Sequence, residues 1–353
     1  MMTPKRKTNP TYYIVCEGET TEPNFFKEFR EFLIQQKYLD NREQIKIFPV
    51  PPKEKSPAVK RGAYKGRKRK TKNTDDVSCL EEELKGPPPL NWVLKAASEK
   101  GIYDSLWAVF DKDQHPKAKE AFAEAEKDAE NPVHIAFSSI CFEYYLLLHF
   151  EYYYHAFEKS ECRKGKKTFY CCSDHFAASD PTLDCRGTKC VNGYARKHNY
   201  WQETKKDKST FNLIKNKLWY GIYNANLLRI ESDAQEKDKP IWERNPYVTV
   251  DYLITTLLGY KQLKLGNNQT IKTLEIKYEP GKLVFTNKGK ITLLILPEYI
   301  SEYSFSTHKS TPILEKRFFL YAEDSYTFEL NDAYSGKIIF FKDENTKIFL
   351  VKP

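Results

Sequence analysis

Two groups of carboxylates stand where catalysis could use them. Glu17, Glu19 and Glu22 follow the apolar run Tyr12–Cys16, and Asp111 and Asp113, one residue apart, follow a second apolar run from Ser105 to Phe110. Carboxylate oxygens are hard ligands that suit Mg²⁺ or Mn²⁺. Glu17, Asp111 and Asp113 could therefore face one shared divalent cation. Without a cation, several acids in one place would repel and raise one another's pKa. Glu143, inside the apolar stretch "CFEYYLLLHF", is a fourth candidate, because a lone acid among such neighbours is costly unless used or paired. Glu19 and Glu22 are further candidates for the metal, with helix capping as the competing explanation. Plain alternatives exist for the others too, since acids favour helix starts and Asp often opens a loop. His149 reads as a core or supporting histidine rather than a base.

The elements around these acids alternate between strand and helix. Tyr12–Cys16 reads as a buried strand, Gly18 as a sharp turn, and Thr20 or Thr21 as the cap of a helix from Asn24 to Lys37, with Pro23 in its first turn. A strand over Ile45–Val50 ends at Pro51-Pro52. Helices are expected over Asp75–Leu84, Leu90–Lys100 and Lys117–Glu130, and strands over Ser105–Phe110 and Val133–Ser138. Residues 141–157 read as one apolar helix, and Thr210–Ala234 as another. This alternation implies a parallel, three-layer α/β core. Neighbouring strand ends lie about 5 Å apart, so Glu17 and the Asp111/Asp113 pair can share one cleft at the carboxyl edge, where such sheets place their sites.

Four stretches carry a resemblance to a known family. "IVCEGETTEPNFF" and "DSLWAVFDKDQHP" resemble the Glu-Gly and Asp-x-Asp segments of the Toprim fold of topoisomerases, primases and overcoming-lysogenization-defect nucleases. Together with "SSICFEYYLLLHFE" and "NPYVTVDYLITTL" they more closely resemble the RloB-like family, linked to abortive infection and restriction loci in bacteria. The likeness covers roughly residues 10 to 260. Lys112 stands where that family tends to have Arg, Ser139-Ile140 replaces Asn-Pro, and Tyr145 stands for Trp. The resemblance implies a Toprim-like parallel sheet flanked by helices. It also implies that Asp111 and Asp113 hold Mg²⁺ while Glu17 moves protons, and that an ATPase of AAA or ABC type is a partner. The chain has no P-loop of its own.

Charge and cysteines mark two further segments. Residues 53–72 hold ten Lys/Arg and one Glu, so removing them from the +9 chain leaves 47 basic and 47 acidic residues. Lys60, Arg61, Lys65, Arg67, Lys68, Arg69, Lys70 and Lys72 form a polybasic loop able to neutralise the phosphates of DNA or RNA, tRNA included, without reading sequence. A solvated solubility loop and a membrane-surface patch are the other readings. Residues 162–198 contain Cys172, His175, Cys185 and Cys190, candidate ligands of a structural Zn²⁺, against free thiols in a surface excursion.

The chain of 353 residues, 40% hydrophobic, divides on this reading into an α/β domain over 1–260 and a small β-sandwich or barrel over 261–353. That second part is expected to bind, sense, oligomerise or simply pack. No run approaches the roughly 20 apolar residues of a membrane span, and no signal peptide is visible, which points to the cytoplasm. Two functions are in contention. The first is a metal-dependent nuclease in anti-phage defence. The second is a non-catalytic nucleic-acid- or nucleotide-binding subunit working with a partner ATPase.

Overall fold

The computed structural model describes residues 10–49, 86–112, 115–161, 163–164, 167–170, 187–201, 210–259, 263–265, 268–271, 273–279, 282–295, 300–304, 309–312, 316–329, 337–342 and 348–351. The polybasic loop, the expected helix over Asp75–Leu84, Asp113 and most of the cysteine-bearing insert lie outside them.

The first part is a mixed α/β fold. Its strands are β1 (Tyr12–Cys16), β2 (Ile45–Phe48), β3 (Ser105–Asp111), β4 (Val133–Ser139) and, after a short β5 (Arg163–Lys164) and β6 (Lys167–Tyr170) pair, β7 (Tyr247–Val248). They form a five-stranded sheet in the order β2-β1-β3-β4-β7. The first four run parallel and β7 is antiparallel to β4. All five residues of β1 are buried, as expected of a central parallel strand covered on both faces.

Alternation along the strands sorts side chains into two cores. Tyr12, Ile14, Cys16, Trp107 and Val109 pack with α1 (Thr21–Gln35), α4 (Phe142–Leu147), α6 (Thr210–Ile214), α7 (Leu218–Gln235) and α8 (Val250–Leu257). Tyr13, Val15, Leu106, Ala108 and Phe110 pack on the opposite face with α2 (Leu90–Ala97) and α3 (Ala118–Ala125). The fourth motif fastens the sheet's edge. Thr249 Oγ1 accepts from the Phe137 N–H at 2.9 Å and donates to the Ile135 carbonyl at 3.1 Å, while Asn245 Nδ2 donates to the Phe157 carbonyl at 2.9 Å.

Several expected elements differ. Residues 141–157 are not one helix: α4 stops at Leu147, and 151–157 lack regular structure. Tertiary ring packing competes there, for Tyr153 stacks on Tyr194 of α5 (Val191–Lys197) with centroids 4.6 Å apart. The expected helix over 210–234 is broken by a 3-10 turn at Lys215–Lys217. Thr20 occupies the N-cap of α1, but its side chain makes no capping hydrogen bond.

The carboxyl-terminal part is β-rich, from β8 (Leu263–Leu265) to β18 (Ile348–Val351). Its described strands form sheets of four, two and five strands, antiparallel except where β18 runs parallel to β8. The strands over Leu263–Leu265, Asn268–Ile271, Ile300–Ser304 and Lys309–Pro312 are ones that an apolar pattern alone does not announce. Those segments are short or polar, and it is pairing that makes them strands.

Candidate active site

The site forms at the carboxyl ends of β1 and β3, which are neighbours in the sheet. Glu17 follows β1, and its N–H continues the ladder by donating to the Val109 carbonyl at 2.9 Å. This fixes the residue beside the end of β3. Its Oε2 accepts from the Asp111 N–H at 2.8 Å, and its Oε1 lies 2.9 Å from His115 Nε2. The His115 ring packs edge-on against Trp92 of α2, centroids 5.2 Å apart.

Asp111 ends β3 in the alternation of Trp107 and Val109, which places it under α1 and α4. The residue keeps some accessible surface, yet its carboxyl group lies deep among protein atoms. Burial pushes that carboxyl well above the usual range, and the nearby charges of Glu22, Glu17 and Glu143 push it further. The Phe142 N–H, at the start of α4, donates to it and offsets part of the rise.

Four elements therefore deliver four acids to one place. Glu22 comes from the first turn of α1 and is only 8% exposed. Its carboxylate lies directly over Gly18, where an added Cβ would sit 2.1 Å from Glu22 Oε2. A glycine follows Glu17 because the Glu22 carboxylate occupies the space a side chain would need. Glu143, in the first turn of α4, is 5% exposed and accepts from Ser160 Oγ at 3.3 Å. Cys141, just before α4, is buried, and its thiol lies within hydrogen-bond reach of Glu143 and Ser160. Burial pushes that thiol far up, and Glu143 and Asp111 add to the rise, so it stays protonated.

Of the expected acids, Glu17, Asp111, Glu143 and Glu22 converge. Glu19 does not: it is exposed, and no effect of it is felt at Asp111. Asp113 lies outside the described residues. Lys112, between the two aspartates, is drawn off the cluster. Its Nζ donates to the Glu243 and Arg244 carbonyls at 2.6 and 3.2 Å. His149 is a core residue, as expected. Its Nδ1 lies 2.9 Å from the Tyr145 carbonyl, and burial lowers its pKa to about 3.

Sequence reasoning missed His115, whose only signal is its place four residues after Asp111. It also missed the supports of Glu143, which lie far along the chain. Of the candidate zinc ligands only Cys190 is described, buried at the N-cap of α5. Cys172, His175 and Cys185 lie outside, as do the eight loop cations from Lys60 to Lys72.

Hard carboxylate oxygens make the donor chemistry right for Mg²⁺ or Mn²⁺. Among the described residues, no group of three or more His, Cys, Asp and Glu side chains is already spaced to hold a metal ion. Nor is any helix among them long and apolar enough to cross a membrane.

A family model described as RloB-like protein fits residues 12–257. No curated protein and no solved structure matches the chain.

Proposed function

Because the chain belongs to the RloB-like family, we propose that it is a Mg²⁺- or Mn²⁺-dependent nuclease of the Toprim type. On this reading it cleaves phosphodiester bonds of DNA or RNA in anti-phage defence. The observation that carries the proposal is the burial of the Asp111 carboxyl amid Glu22, Glu17 and Glu143, which together push it well above the usual carboxylate range. Natural folds seldom gather four acids at a strand edge unless a cation or a reaction uses them.

Glu17, Asp111 and Asp113 would hold the cation, which when bound would offset charge on the attacking and leaving oxygens. The chain's own groups prepare the site. Asp111 gives up its proton to become a ligand, and the Phe142 N–H supports the charge that results. Glu17 is oriented from both sides, by the Asp111 N–H and by His115, and so is the acid placed to exchange a proton with the reacting oxygen. The polybasic loop would supply affinity for the phosphate backbone.

The test is a cleavage assay with Mg²⁺ or Mn²⁺ on plasmid DNA, single-stranded DNA and total tRNA. Wild type is expected to cut at least one of them, and Asp111→Ala to lose at least about 100-fold in rate while keeping its circular dichroism spectrum. Undiminished cutting by the variant would remove Asp111 from the site.

One observation favours the second reading, a binding subunit that works with a partner ATPase. Both Glu17 oxygens already have protein partners, as they would in a purely structural site. Salt-sensitive binding without metal-dependent cutting, alone or with the ATPase, would establish that reading.

A further inference from the structure

We infer that Ser160 and Asn192 are positioning residues for Glu143, forming a clasp that aims the Glu143 carboxylate at the acid cluster. The inference rests on the nuclease reading for the role of Glu143, but the clasp itself is a matter of hydrogen-bond geometry. A carboxylate as enclosed as Glu143 needs donors. Ser160 Oγ is 3.3 Å from Glu143 Oε2, and Asn192 Nδ2 is 3.3 Å from Ser160 Oγ. Trp201 Nε1 lies 2.8 Å from Asn192 Oδ1.

The direction of every proton in this chain follows from donor chemistry. An indole N–H can only donate, so the Asn192 atom facing Trp201 is the carbonyl oxygen, and its NH₂ faces Ser160. A serine hydroxyl has one proton to give. With Asn192 donating into its oxygen, that proton is left for Glu143 or the Cys141 thiol, and the carboxylate is the far stronger acceptor of the two. Asn192 and Trp201 are buried, and hydrogen bonds shielded from water are electrostatically stronger.

The backbone closes the same clasp. Asn192 N donates to the Ser160 carbonyl at 3.0 Å, Val191 N to Lys159 at 3.3 Å, and Glu158 N to Lys189 at 3.0 Å. Residues 158–160, just before the cysteine-bearing insert, and 189–192, within it, are therefore tied together where Ser160 meets Glu143.

The experiment compares wild type with Ser160→Ala, Ser160→Thr and Asn192→Ala, and places Ser160→Ala in a Glu143→Gln background. Supporting groups one bond removed from a site typically cost 10–100-fold when lost. Ser160→Ala is expected to lower kcat about 10-fold or more, with KM and Tm little changed. Ser160→Thr should restore most of the rate, and in Glu143→Gln the loss of Ser160 should add nothing. Mn²⁺ binding, followed by electron paramagnetic resonance, is expected to weaken about 3–10-fold in Ser160→Ala and to return in Ser160→Thr. Full additivity with Glu143→Gln, or unchanged rate and Mn²⁺ affinity in Ser160→Ala, would overturn the clasp. If wild type does not cut any substrate, the nuclease reading fails. The Mn²⁺ titration then decides the clasp alone: loss in Ser160→Ala with rescue by Thr upholds it, and equal affinities overturn it.

Discussion

Without a bound cation, Asp111 holds its proton to higher pH than an exposed aspartate does, and this sets how stability depends on pH. Its folded-state pKa lies above the unfolded value. Between those two values the native state binds the extra proton, so this group's contribution to stability is lost as pH rises through the window. At neutral pH in the presence of a chelator, Asp111→Asn is therefore expected to raise stability by about 1 kcal/mol or more. Calorimetry would read this as a Tm increase of roughly 2–4 °C per kcal/mol. Mn²⁺ should stabilise wild type and not the variant, because only wild type regains a ligand by losing the proton. Gly18 offers a separate check. Gly18→Ala must push the Glu22 carboxylate away from a Cβ otherwise 2.1 Å from its oxygen. The flexible end of Glu22 can move, so the expected stability change is within about 1 kcal/mol. The response of Tm to Mn²⁺ should shrink, because one acid of the cluster has been displaced.

Among the elements, α7 and α8 are joined by a buried pair. Arg229 Nη1 and Nη2 meet the Asp251 oxygens at 2.5 and 2.8 Å, and Nη1 also reaches the Val248 carbonyl of β7 at 2.6 Å. Removing one partner leaves a buried charge alone, so Asp251→Asn is expected to cost about 3–5 kcal/mol in denaturant unfolding. Arg229→Met combined with Asp251→Leu should recover most of that loss. α7 packs at Gly221 against the turn that follows α4, where an added Cβ would lie 2.3 Å from the His149 ring. With a ring rather than a flexible chain in the way, Gly221→Ala should cost about 1–3 kcal/mol. The alternation of strands and helices, and the meeting of Glu17 with Asp111, were legible because apolar runs and the acids after them are local patterns. The arrest of α4 at Leu147 was not, because it depends on Tyr153 finding Tyr194. The choice of Glu22 over Glu19 was equally hidden. Both acids stand in the same few residues, and only the angle at which α1 leaves Gly18 turns one inward.

At the scale of the whole molecule, the chain's net positive charge sits in one segment, residues 53–72. Deleting that segment should flatten the dependence of nucleic-acid affinity on salt, while the Tm rise with Mn²⁺ stays as in wild type. A retained salt slope would place the phosphate-binding surface elsewhere. Zinc held by Cys172, His175, Cys185 and Cys190 would appear as about one equivalent in elemental analysis of freshly purified protein. The clasp at Glu143 bears on how such a chain can change over generations. A segment that leaves and re-enters through one bridge can grow or shrink cheaply, since each doubling of its length costs only about 0.6 kcal/mol of closure entropy. On that account the sequence between Glu161 and Gly187 is expected to tolerate changes of length, provided that Ser160 and Asn192 still meet where it departs and returns.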